Sequence, residues 1–127
     1  MHQPSSLRRL GESWDPRAKG AGSWAFLLNR LTALGLTLYL GLHLAVLGQL
    51  AGGPQAYDGF LKFAQLPLLK VGELVLIAAA LFHGLNGVRL ALHAFGVGVR
   101  AQKLTFAAVA GLTLLATAVF AARLLAG

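Results

Sequence analysis

The chain has no cysteine and only four acidic residues in 127. Without a thiol it cannot form disulfides, thiolate-bound zinc, covalently attached c-type haem or an iron–sulfur cluster held by this chain alone. Any metal must therefore be held by imidazole, and His2, His43, His83 and His93 are the only candidates. Charge is also scarce, at 12% of residues, where a soluble domain carries roughly a quarter. There are no paired carboxylates, no nucleophile with an orienting base and no phosphate loop. Nothing in the residues points to bond-making chemistry by this chain unaided.

The sequence is dominated by long apolar runs, with 57% of residues hydrophobic. Runs of this length predict an all-α integral membrane protein with three transmembrane helices and a short interfacial helix. A polar arm over 1–22, with Trp14 as a possible anchor or docking point for a soluble partner, precedes a three-helix domain over 23–127. The first span is predicted over about 23–50, with Ser23 as N-cap and Trp24 at the interface. It is too long for the apolar region of a signal peptide and reads as a retained helix. Gly52-Gly53-Pro54 opens a connection in which Tyr57, Phe60, Leu61 and Ala64 recur at helical spacing, with Asp58 and Lys62 toward water. The second span is predicted over about 67–95, with Pro67 in its first turn and Gly96 and Gly98 as a stop. The third, over about 104–125, has no ionisable residue before Arg123 and reads as packing and lipid-facing surface without chemistry. Three helices enclose little interior, so the expected assembly is a heteromeric helix bundle.

The formal charge of +7 raises the question of nucleic acid. The basic residues flank apolar spans and do not form a polar face interleaved with aromatics, so they read as topology signals and not as a nucleic-acid site. One side of the membrane receives Arg8, Arg9, Arg17, Lys19, Arg30, Arg89, Arg100 and Lys103; the other receives Lys62, Lys70 and Arg123. The positive-inside rule then places the N-terminus in the cytoplasm and the C-terminus outside.

Ionisable groups at membrane depth are costly and mark function by default. Residues 81–93 concentrate them: His83, Asn86, Arg89 and His93 interrupt an otherwise apolar stretch. His83 lies six residues from Arg89, about 9 Å from the basic end, whereas His43 lies about 20 Å above Arg30. The two imidazoles therefore do not grip one iron, but each suits one end of a separate haem. His83 sits among Leu81, Phe82 and Leu85, and Gly87, one turn on, leaves room for a flat macrocycle. Two readings of His83 are open: a haem-iron ligand, or a buried histidine bonded to a neighbouring helix. The same pair of readings applies to His43, with water as its alternative partner. Arg30, Arg89 and His93 form a basic rim suited to haem propionates or a quinone carbonyl, or to charges that reach the membrane surface. Asn86 reads as an interhelical hydrogen bond.

Two stretches carry a resemblance to a known family. Ser23-Trp-Ala-Phe-Leu-Leu-Asn-Arg-Leu-Thr32, continuing through Tyr39-Leu-Gly-Leu-His43, resembles the first helix of the cytochrome b membrane-anchor subunit of succinate dehydrogenase. Phe82-His-Gly-Leu-Asn-Gly-Val-Arg89 resembles its haem-ligand segment, in which histidine is followed by three residues, glycine, one residue and arginine. The resemblance covers most of the chain. It implies a C-type anchor chain of respiratory complex II in a bacterial inner membrane. The implied partners are a second anchor chain, an iron–sulfur subunit and a flavoprotein. It implies haem b ligated by His83, a possible second haem at His43, and quinone reduction near Arg30. By position Asn29 replaces a histidine found in some relatives, and Phe26 stands where some have a quinone-contacting serine, so Ser23 or Thr32 could take over that contact. Leu90 and Ala94 stand where many relatives have histidine and aspartate. A haem-free anchor of the same complex and a small non-redox assembly or transport subunit are the alternatives. The quinone type, and whether complexes assemble as trimers, stay open.

Overall fold

The computed structural model describes residues 20–126, which form four α-helices linked by short turns. Helix α1 spans Ala21–Gly48, α2 Pro54–Ala64, α3 Pro67–Ala94 and α4 Gln102–Ala126. The 3-10 turns Gln49–Gly52 and Val99–Ala101 complete the connections. Helices α1 and α3 have 28 residues each, about 42 Å at 1.5 Å per residue. That exceeds the roughly 30 Å hydrocarbon core of a bilayer. Three segments, Gly22–Gly52, Pro67–Ala94 and Val99–Ala126, are long and apolar enough to cross a membrane. The chain is a multi-pass membrane protein.

The predicted helix start is corrected by two residues. Ser23 does not cap α1: the N-cap is Gly20, with no side-chain cap bond, and its carbonyl accepts from the backbone N–H groups of Ser23 and Trp24. Gly20 has φ 77°, a conformation that glycine adopts without the steric cost a side chain would bring. Residues 1–19, with Trp14, His2 and the arm's charges, lie outside the described residues. The connection forms as expected, and α2 holds Tyr57, Phe60 and Ala64 half-buried while Asp58 and Lys62 are exposed. Pro67 stands in the first turn of α3, where its missing N–H is one that no helix bonds. Gly96 and Gly98 end α3 with φ 81° and 75°. The last helix starts at Gln102, two residues before the expected point.

Helix α3 is central. It packs against both α1 and α4, which also touch each other. Its inward face carries Phe82, Asn86 and Arg89; α4 contributes Val109 and Thr113, and α1 contributes Ala25. Phe82 meets Phe106 edge to face, with centroids 6.4 Å apart. The interior is thin. Three hydrophobic side chains are buried among the described residues, and thirty large ones, from Trp24 to Leu125, stand exposed. Such a surface is covered by lipid or by other helices.

Candidate functional site

His83 is set by the packing of α3 on α1. Its Nδ1 lies 3.3 Å from the Asn29 backbone carbonyl and 3.3 Å from Thr32 Oγ1. The Thr32 hydroxyl lies 2.8 Å from the Leu28 carbonyl and 3.0 Å from the Asn29 carbonyl. Its single hydrogen is thus used within its own helix, a common arrangement for threonine in an apolar helix. A carbonyl can only accept, and the remaining Thr32 lone pair also accepts. Both groups facing Nδ1 are therefore acceptors, which assigns the proton to Nδ1 and leaves the lone pair on Nε2. Beside the ring, a Cβ added at Gly84 or Gly87 would meet nothing within 4 Å, and both glycines are exposed. An imidazole oriented from behind, with no partner on Nε2 among the described residues and open space along its helix, has the chemistry of a metal ligand whose rear N–H is held by a carbonyl.

His43 is arranged differently. It is exposed, its Nδ1 lies 3.4 Å from the Tyr39 hydroxyl one turn back, and the two rings are tilted by 30° with centroids 5.4 Å apart. It stands eleven residues beyond Thr32 on α1, about 16 Å along the axis. One metal ion does not bridge that gap. Among the described residues no three His, Asp or Glu side chains cluster as a metal site, so these residues offer single imidazoles.

The basic end is built inward. Arg89 is buried on α3, where a rim charge was expected. Its Nε donates to Thr105 Oγ1 at 2.9 Å, Nη1 to Asn86 Oδ1 at 3.3 Å and Nη2 to the Gln102 carbonyl at 3.3 Å. Two of its five N–H groups have no acceptor among the described residues. Thr105 Oγ1 also donates to the Gln102 carbonyl and lies 3.4 Å from His93 Nε2. The final span, read from sequence as free of chemistry, thus supplies at its start the acceptors that hold Arg89 and His93. The signal for this was a threonine and a glutamine flanking Lys103 at the start of a mainly apolar helix. Asn86 is likewise corrected: it is fully buried, but its Oδ1 bonds along its own helix to Arg89 and not across to another. Its Nδ2, and Asn29 Oδ1, have no hydrogen-bond partner among the described residues.

Arg30 projects outward from α1, with its guanidinium 4.7 Å over the Phe26 ring. Ser23 is half-buried two turns earlier. Thr32, considered from sequence as a quinone contact, turns its hydroxyl toward His83. The structure therefore brings Asn29, Thr32 and His83 together, joins Arg89, His93 and Asn86 in a second group, and leaves His43 apart.

Comparisons with known proteins agree with this architecture. Residues 6–120 match the model of the succinate dehydrogenase/fumarate reductase transmembrane subunit family. A succinate dehydrogenase hydrophobic membrane anchor subunit of Halobacterium salinarum is 38% identical over 94 residues, covering 73% of this chain and 72% of that protein. The succinate dehydrogenase 2 membrane subunit SdhC of Mycobacterium tuberculosis is 33% identical over 84 residues, covering 65% of this chain and 62% of that one. An all-α bundle of three membrane-crossing helices, matched along most of its length, belongs to the succinate dehydrogenase/fumarate reductase transmembrane subunit family, as a membrane-anchor subunit of succinate dehydrogenase.

Proposed function

We propose that this anchor is a cytochrome b subunit of a succinate:quinone oxidoreductase, holding haem b through His83 Nε2 beside the place where quinone is reduced. The observation that carries the reading is the pair of acceptors behind His83 Nδ1. They fix the tautomer that a metal ligand needs, at a depth where an unused imidazole is expensive. The residues fit the group. Gly84 and Gly87 leave room along the helix, and Arg89 keeps two N–H groups without an acceptor among the described residues. A propionate placed there would offset the buried guanidinium, which has no carboxylate partner among the described residues.

Haem, when bound, supplies one-electron storage between donor and quinone. This chain's residues orient it. Asn29 and Thr32 hold the ring of His83, and Arg89, with His93 behind Thr105, fixes the polar edge. Arg30, exposed over Phe26 with Ser23 on the same helix, is the donor that suits a quinone carbonyl. A second anchor chain would supply the other imidazole that holds the haem, and an iron–sulfur subunit fed by a flavoprotein would supply the electrons. The exposed apolar faces of α1 and α3 suit the second anchor. His43, exposed near the opposite surface, is the residue that would hold a second, separate haem if the assembly carries two. Lysine and arginine placement supports a cytoplasmic N-terminus, and the membrane on this reading is a bacterial inner membrane.

The test is the haem-to-protein ratio and the reduced-minus-oxidised spectrum of the purified assembly. His83→Ala is expected to remove one b-type haem, and His43→Ala a different one or none. Full haem content in the His83→Ala complex overturns the assignment.

A further inference from the structure

We propose that Thr32 is a positioning residue for His83, and that its hydroxyl oxygen sets the electron-donating strength of the imidazole on the opposite nitrogen. The inference rests on the haem-ligand reading of His83. Thr32 has a quinone contact as its sequence-level reading, but its geometry faces elsewhere. Its Oγ1 is 3.3 Å from His83 Nδ1 while its hydrogen is directed to the Leu28 carbonyl at 2.8 Å. The Asn29 carbonyl, which also faces Nδ1, accepts from Thr32 at 3.0 Å as well. The ring therefore has two acceptors at one nitrogen, and one is a side chain that mutation can remove without touching the backbone.

The physical effect has a sign. An acceptor at Nδ1–H pulls the proton outward and enriches the ring in electron density, which makes Nε2 a stronger donor. A stronger donor favours the ferric over the ferrous ion. The Thr32 hydroxyl donates to Leu28, so its oxygen is polarised as an acceptor, and chains of this kind strengthen one another in a low-dielectric interior. Removing it leaves the Asn29 carbonyl alone to orient the ring. The imidazole then gains rotational freedom and loses donor strength together.

Thr32→Val keeps the shape and deletes the oxygen; Thr32→Ser keeps the oxygen and deletes the methyl. Both are made in the complete complex, purified with its partners and with haem as bound in the cell. The readouts are haem retention during washing and the midpoint potential of the b-type band. For Thr32→Val we expect haem affinity to fall by roughly tenfold, the lower end of what loss of a supporting hydrogen bond to a metal ligand costs. The potential is expected to rise by about 59 mV, a tenfold change in the ferrous-to-ferric ratio for one electron. Thr32→Ser is expected to restore both. An unchanged potential in Thr32→Val, or an equal shift in Thr32→Ser, overturns the positioning role while leaving the haem assignment standing. Loss of the haem assignment itself is read separately, from a His83→Ala complex that keeps its haem.

Discussion

Replacing Thr105 by valine tests whether the contact between α3 and α4 is held by Arg89. The hydroxyl is the 2.9 Å acceptor for the buried Nε and also stands 3.4 Å from His93. Valine preserves the volume, so no cavity forms and the loss is confined to hydrogen bonding. A hydrogen bond to a charged group contributes about 1.5–3 kcal/mol, and a buried donor left bare costs its desolvation as well. Water does not readily replace the oxygen, because Arg89 is only 5% exposed. The expected loss for Thr105→Val is therefore about 2–3 kcal/mol, read as unfolding free energy in mixed detergent micelles. A cycle with Arg89→Met sharpens the test. If the two residues stabilise the bundle through each other, the double variant should lose about 1–2 kcal/mol less than the sum of the singles. Additive losses, or a Thr105→Val effect below about 0.5 kcal/mol, within the range of an ordinary surface change, would refute the view that this pair fastens the two helices.

Two further outcomes follow from the glycines. Gly87→Leu places a side chain where the chain itself has nothing within 4 Å. Helix α3 should tolerate it, with a propensity gain of roughly 0.5–1 kcal/mol, yet on the proposed haem-ligand role of His83 any haem bound by the complex should fall sharply; unchanged haem content would refute use of this face. Gly98→Ala and Gly96→Ala both force a side chain into the left-handed region, at about 1–2 kcal/mol each. Only the first brings a Cβ to 3.3 Å from Thr105 Cγ2 and 3.6 Å from His93 Nε2. Gly98→Ala should therefore destabilise more than Gly96→Ala in the same micelle assay, and equal losses would mean that the turn does not support the Arg89 group.

The sequence revealed most where physics acts locally. Apolar runs near 28 residues, Pro67 in a first turn and glycines after residue 94 define the spans without reference to the rest of the chain. Likewise the imidazole at position 83 stood out because polarity at that depth is expensive wherever it points. What sequence could not supply is register between antiparallel helices. Arg89 finds its acceptors 13 and 16 residues away on α4, and which residues face each other across a helix pair depends on turn length and packing, not on spacing along either helix. The same gap hid Thr32, whose hydroxyl meets a ring 51 residues distant. Asn86 misled for another reason: an arginine one turn ahead on its own helix captured the side chain first. At the other extreme, Ser23 is a good capping residue that sits too far inside, because Gly20 can make the turn earlier.

The thinness of the bundle's interior bears on how the anchor is made and kept. Membrane insertion makes each span helical regardless of its neighbours, since bare backbone cannot be left in hydrocarbon. What holds one span to the next is a short run of aromatic and polar contacts along α3. Lipid alone would therefore keep each span helical, while the order in which the spans sit against one another would rest on those few contacts.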